Sequence, residues 1–107
     1  NTTMYTPNST YQANLDFLFP ILSSNATRDN GFYNYSVGRD PPDIAYGLFL
    51  CRGDVTTVAC HECVATASRE IVQSCPRRKM AVIWYDNCLL RYSNQTIFSI
   101  PDQSYRL

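Results

Sequence analysis

Most of the chemistry open to this chain lies in its five cysteines, and three of them sit close together. Cys51, Cys60 and Cys63 fall in Leu-Cys-Arg-Gly-Asp-Val-Thr-Thr-Val-Ala-Cys-His-Glu-Cys, a C-x8-C-x2-C spacing. The Cys60-His61-Glu62-Cys63 part has the spacing of a redox dithiol and of half a zinc site. A redox pair normally opens a helix directly after a strand, whereas this pair lies within its element, and zinc would need a second pair of ligands. Structural disulfides are therefore the favoured reading, with no metal and no cofactor. His61 is the only histidine. No nucleophile or carboxylate set accompanies it, so it reads as a solvated helix residue and the domain as non-enzymatic.

Three other stretches have chemical letters and a plainer reading. Arg52-Gly53-Asp54 spells an adhesion triplet, but Gly53 suits a turn and Asp54 the approach to a helix. Arg77-Arg78-Lys79 has the charge to hold phosphate or a sulfated sugar, yet beside Pro76 it reads as a solvated loop. Trp84 and Tyr85 have rings that stack on sugars, and strand alternation turns one of them into the core.

The elements that position these residues are legible from periodicity. Ile44 to Leu50 is a short apolar run, which predicts a strand buried on both faces. From Thr56 to Cys75 there is no Gly or Pro, and Cys60, Cys63, Val64, Ala67, Ile71, Val72 and Cys75 follow a helical rhythm, with Pro76 as the stop. Three cysteines thus share the buried stripe of one helix. An earlier helix starts at Asn8 or Ser9 with Gln12 completing a capping box, and presents Tyr11, Leu15, Leu18, Phe19 and Leu22. Pro20 should kink it or end it a turn early. Phe32 to Val37 alternates as a strand, Met80 to Tyr85 and Cys88 to Tyr92 make a hairpin around Asp86-Asn87, and Ile97 to Ile100 is a candidate edge strand. The order of elements indicates an α+β fold with two helices on one face of an antiparallel sheet.

A chain of 107 residues is one domain with a modest core, to which cross-links add stability. Lys plus Arg number 9 and so do Asp plus Glu, which disfavours a nucleic acid or anionic lipid partner. The apolar runs are too short to cross a bilayer, so this domain makes no membrane contact of its own, and any secretion signal or anchor is expected outside these residues. Asn1, Asn8, Asn25, Asn34 and Asn94 each head an N-x-Ser/Thr acceptor triplet. Five such triplets together with dense cysteine place the domain outside the cell. The odd cysteine count leads to the expectation that the missing partner lies just upstream of Asn1.

Taken together, Tyr46 to Asp54 with the C-x8-C-x2-C run, Tyr5-Thr6-Pro7-Asn8-Ser9-Thr10-Tyr11, and Trp84-Tyr85-x2-Cys88-Leu89-Leu90-Arg91-Tyr92-Ser93 resemble the ginkbilobin-like, salt-stress-response/antifungal domain of plants. The likeness is greatest to the first of two tandem copies in cysteine-rich receptor-like kinases and cysteine-rich repeat secretory proteins. It implies two helices on a five-stranded antiparallel sheet, stapled by disulfides. It also implies pairing of Cys51 with Cys60, of Cys63 with Cys88, and of Cys75 with a cysteine upstream of Asn1. The domain would then span residues 1–101, with 102–107 a linker toward a second copy. Mannose-binding members use three positions that fall here at Asn1, Val82 and Ser93; only Asn1 matches, and it heads an acceptor triplet.

The function so implied is a recognition module on the apoplastic face of the plasma membrane, or secreted, acting in stress or defence signalling. Its expected partner is a protein or co-receptor ectodomain, with cell-wall carbohydrate as a further possibility. A serine/threonine kinase domain of the parent chain would lie outside these residues. The alternatives are an antifungal, mannose-type lectin and, more weakly, an apoplastic redox sensor.

Overall fold

The computed structural model describes residues 4–27 and 30–95. Met4 makes a single antiparallel bridge to Arg78, and the chain then turns into helix α1, Thr10–Ser24. Ser9 is the N-cap, its Oγ accepting from the Gln12 N–H at 3.3 Å, while Gln12 Oε1 accepts from the Asn8 N–H at 2.8 Å. This is the reciprocal logic of a capping box, with the return bond shifted one residue outward. The buried face is Tyr11, Leu15, Leu18, Phe19 and Leu22, as the periodicity predicts.

Pro20 does not end α1, which runs on for another turn to Ser24. The reason is its placement: Pro20 is exposed, so the bond it cannot donate falls on the solvent side, while Leu18 and Leu22 remain fully buried on the other. The Pro20 carbonyl also accepts from Ser24 Oγ at 2.6 Å. Packing on one face outweighs the lost donor on the other.

Four strands follow: β1 Phe32–Val37, β2 Ala45–Cys51, β3 Ala81–Trp84 and β4 Cys88–Ser93. Helix α2, Thr57–Ser74, lies between β2 and β3 and is capped by Thr56, whose Oγ1 accepts from the Ala59 N–H at 3.0 Å. The sheet is antiparallel in the order β1-β2-β4-β3. The class is α+β as expected, but among the described residues there are four strands rather than five. Met4 contributes only its isolated bridge, and Ile97–Ile100, expected as an edge strand, lies outside the described residues.

Alternation assigns the faces. Ala45, Gly47, Phe49 and Cys51 of β2 are buried beneath the helices, beside Leu90 and Tyr92 of β4, and the Phe19 and Tyr92 rings meet edge-on at 5.7 Å. The strand is only half-buried on its other face, at Tyr46, Leu48 and Leu50, which corrects the expectation of burial on both. Gly47 marks the closest approach of α1. A Cβ there would lie 2.7 Å from Leu18 Cδ2 and 2.9 Å from Leu22 Cδ1, and neither fully buried leucine has room to yield. Gly47→Ala should therefore destabilise the domain by about 1–3 kcal/mol, as overpacking does in a filled core. Urea unfolding checks this; an unchanged midpoint would mean that α1 rides higher on the sheet.

Candidate interaction surface and the residues that frame it

The cysteines form the frame. Cys51 and Cys88 are register partners at the ends of β2 and β4, yet they are not bonded to each other. Cys51 bonds Cys60 and Cys63 bonds Cys88, with Cα separations of 5.7 and 6.1 Å. Cys60 and Cys63 lie three apart on α2, hence on one side of its first turns, and each reaches one strand. Cys75, at the C-cap of α2, is a half-buried free thiol. It lines a groove of about 500 Å³ with Met4, Arg78, Met80 and Val82 among others. No group of three or more His, Cys, Asp or Glu among the described residues could hold a metal ion.

The other chemical letters are occupied by the fold. His61 is not a solvated residue: its Nδ1 lies 2.8 Å from the Ser23 carbonyl, so Nδ1 carries the proton and the side chain ties α2 to the end of α1. Within Arg52-Gly53-Asp54, Arg52 Nε donates to Asp54 Oδ1, and this bond holds the Asp54 carboxyl below its ordinary range. Arg52 also donates to the Asp86 carbonyl, at 3.2 Å. The triplet thus closes on itself and on the β3–β4 turn. Trp84 is 51% exposed, whereas half-buried Tyr85 donates its hydroxyl to Glu70. Burial, and then the bond to Glu70, push the Tyr85 phenol up to about 12.

The basic trio is tied down through its backbone. The carbonyl of Arg77 accepts from the Tyr5 N–H at 2.8 Å, that of Arg78 from Tyr92 Oη at 2.8 Å, and that of Lys79 from Tyr11 Oη at 2.7 Å. None of these bonds leaves a signal in the sequence, because each joins residues far apart in the chain through a main-chain acceptor.

The sheet has a second face, away from the helices, half-buried along β2 at Tyr46, Leu48 and Leu50 and buried along β4 at Leu89, Arg91 and Ser93. The register aligns Phe32, Leu50, Leu89 and Trp84 in one row across all four strands, and Asn34, Leu48, Arg91 and Val82 in the next. The first row is wholly apolar and about 14 Å wide, three strand spacings of about 4.8 Å. Its two ends are exposed, Phe32 at 38% and Trp84 at 51%, while Leu89 in the middle is 3% exposed. An exposed aromatic residue thus stands at each end of an apolar row whose middle is half-buried at Leu50 and buried at Leu89.

A model of the family described as salt stress response/antifungal matches residues 1–95. The chain belongs to this family. It is 48% identical over 99 residues to cysteine-rich repeat secretory protein 1 of Arabidopsis thaliana, and 50% identical over 99 residues to cysteine-rich receptor-like protein kinase 25 of the same plant. Those alignments cover 92% and 91% of this chain but only 29% and 15% of the relatives. The chain thus spans less than a third of the length of these relatives. Among solved structures it is similar to the tandem DUF26 ectodomain of the Arabidopsis thaliana cysteine-rich receptor-like protein PDLP5. The TM-score is 0.83 at 28% identity, over 90% of this chain and 48% of that one. Of the three positions expected from the mannose-binding resemblance, Val82 and Ser93 lie on the sheet face away from the helices, Val82 half-buried and Ser93 fully buried with its Oγ accepting from the Gln95 N–H. Asn1 lies outside the described residues.

The tyrosine ties carry a pH dependence. Burial, above all, pushes the phenols of Tyr11 and Tyr92 well above the free value of 10.0. The folded chain then holds protons that the unfolded chain loses, so this contribution is fully present below about pH 10 and is lost as pH rises beyond it. Stability should fall steeply in that alkaline range, with the two phenolates appearing only as the protein unfolds. Tyr11→Phe and Tyr92→Phe should each cost about 1–2 kcal/mol at neutral pH by orphaning a carbonyl. Phenolate absorbance read beside circular dichroism checks both; early titration of these tyrosines in folded protein would contradict the assignment.

Proposed function

We propose that this domain is an extracellular, non-catalytic recognition module of a plant cysteine-rich receptor-like kinase or secreted relative, one of a tandem pair, acting in stress or defence signalling. The observation that carries the reading is the apolar row Phe32, Leu50, Leu89 and Trp84 on the sheet face left open by both helices. Three findings support it. The relatives are by name a secretory protein and receptor-like kinases, the solved relative is a tandem ectodomain of which this chain matches 48%, and the fold carries two disulfides. Residues 102–107 would lead to the second copy, and Cys75 would bond a cysteine upstream of Asn1, beside the Met4 bridge.

The domain works by contact. Partner binding on the open face biases association of the receptors that carry it, and any kinase activity belongs to parts of the parent chain outside these residues. Where the mannose-binding members place a charged pair, this chain has Val82 and Ser93, which removes the charge-assisted bonds that would hold a sugar there.

The test is a binding screen of the glycosylated ectodomain, extended upstream, against companion receptor ectodomains, mannose oligosaccharides and other wall glycans. A protein hit is expected. Trp84→Ser should weaken it about tenfold or more, the size of the loss when an aromatic anchor is removed from an interface. Phe17→Ser, at a residue 68% exposed on α1, should leave it unchanged. Binding to glycans alone, or a protein hit indifferent to Trp84, would overturn the reading.

A further inference from the structure

Five acceptor triplets are equal as sequence, but the fold treats two of them in opposite ways. Asn34 stands in the middle of β1, which lies at one end of the strand order. It is exposed, and alternation with Tyr33 and Val37, both packed on the core, turns it to the open sheet face opposite Leu48. Its triplet is already extended, since Asn34, Tyr35 and Ser36 are consecutive strand residues.

Asn25 is placed otherwise. It is the half-buried C-cap of α1, and its Nδ2 donates to the Ile21 carbonyl at 2.8 Å. Its backbone N–H turns back to the same carbonyl at 3.2 Å, and the next residue of the triplet, Ala26, is fully buried. A sugar is bonded to Nδ2, the very atom that closes the helix here. A chain carrying one at Asn25 must swing the side chain out, give up the cap bond, and seat a bulky hydrated group beside a buried residue.

We propose that Asn34 carries an N-linked glycan in the folded, secreted protein and that Asn25 carries none. The glycan on Asn34 stands beside the Phe32 and Leu50 end of the apolar row and shields β1, which lies at one end of the strand order among the described residues. It leaves the Trp84 end clear, so a protein partner approaches over β4 and β3. This inference rests on the placement of the two asparagines and stands whether or not a partner is found.

The test is the intact mass of the protein secreted from plant cells, compared with that of its Asn34→Gln and Asn25→Gln variants, each keeping the amide. Asn34→Gln should lose the mass of one glycan, and Asn25→Gln should lose none. Peptide mapping of the wild-type protein after enzymatic glycan release gives a readout independent of how either variant folds: Asn34 should appear converted to Asp and Asn25 unconverted. A glycan at Asn25 in the wild-type protein, or an unmodified Asn34, would overturn the proposal.

Discussion

The fold depends on one covalent constraint, the attachment of the first turns of α2 to the ends of two neighbouring strands. Cys51 and Cys88 sit side by side across the β2–β4 pair, and Cys60 and Cys63 sit one turn apart on the helix. Two bonds between two such pairs fix both the position and the rotation of α2, as a single bond would not. The bridges close sequence separations of 9 and 25 residues, and by loop-closure entropy each contributes about 3 kcal/mol. For a domain whose core is this small, that is a large share of its net stability.

With α2 clamped and α1 seated on Gly47, both helices occupy the same side of the sheet, and neither covers the other side. The tyrosine bonds to the carbonyls of Arg78 and Lys79 hold the segment that feeds β3, and the Arg52 bond to the Asp86 carbonyl holds the turn that leaves it. The strand bearing Trp84 is thus tied at both ends. Were this face to dock a partner, as proposed, its rigidity would limit the conformational freedom lost on binding.

Much of this was written in local pattern. The face of α1, the rhythm of α2, the β3–β4 hairpin and the α+β class follow from periods of 3.6 and 2, which depend only on neighbours in the chain. The run of α1 through Pro20 was not legible, because it turns on which side of the helix faces water and on how firmly Leu18 and Leu22 are held. The ties of His61 and the basic trio, and that of Arg52 to the Asp86 carbonyl, were equally hidden, since each is a main-chain carbonyl bond between residues far apart in the chain. The cysteine spacing left the pairing open, and the pattern of bridges came from family resemblance alone. The apolar row appears only once the register sets Phe32 against Leu50, Leu50 against Leu89 and Leu89 against Trp84.

The most direct test of the central constraint is disulfide mapping of the unreduced, alkylated protein after cleavage at arginine, lysine and glutamate. Cleavage at Arg52 and Glu62 puts Cys51, Cys60 and Cys63 on separate peptides, and cleavage at Lys79 and Arg91 isolates Cys88. The clamp predicts the Cys51 peptide linked to that of Cys60 and the Cys63 peptide linked to that of Cys88. A direct link between the neighbouring strand residues Cys51 and Cys88 would leave α2 unattached to the sheet and would contradict the account.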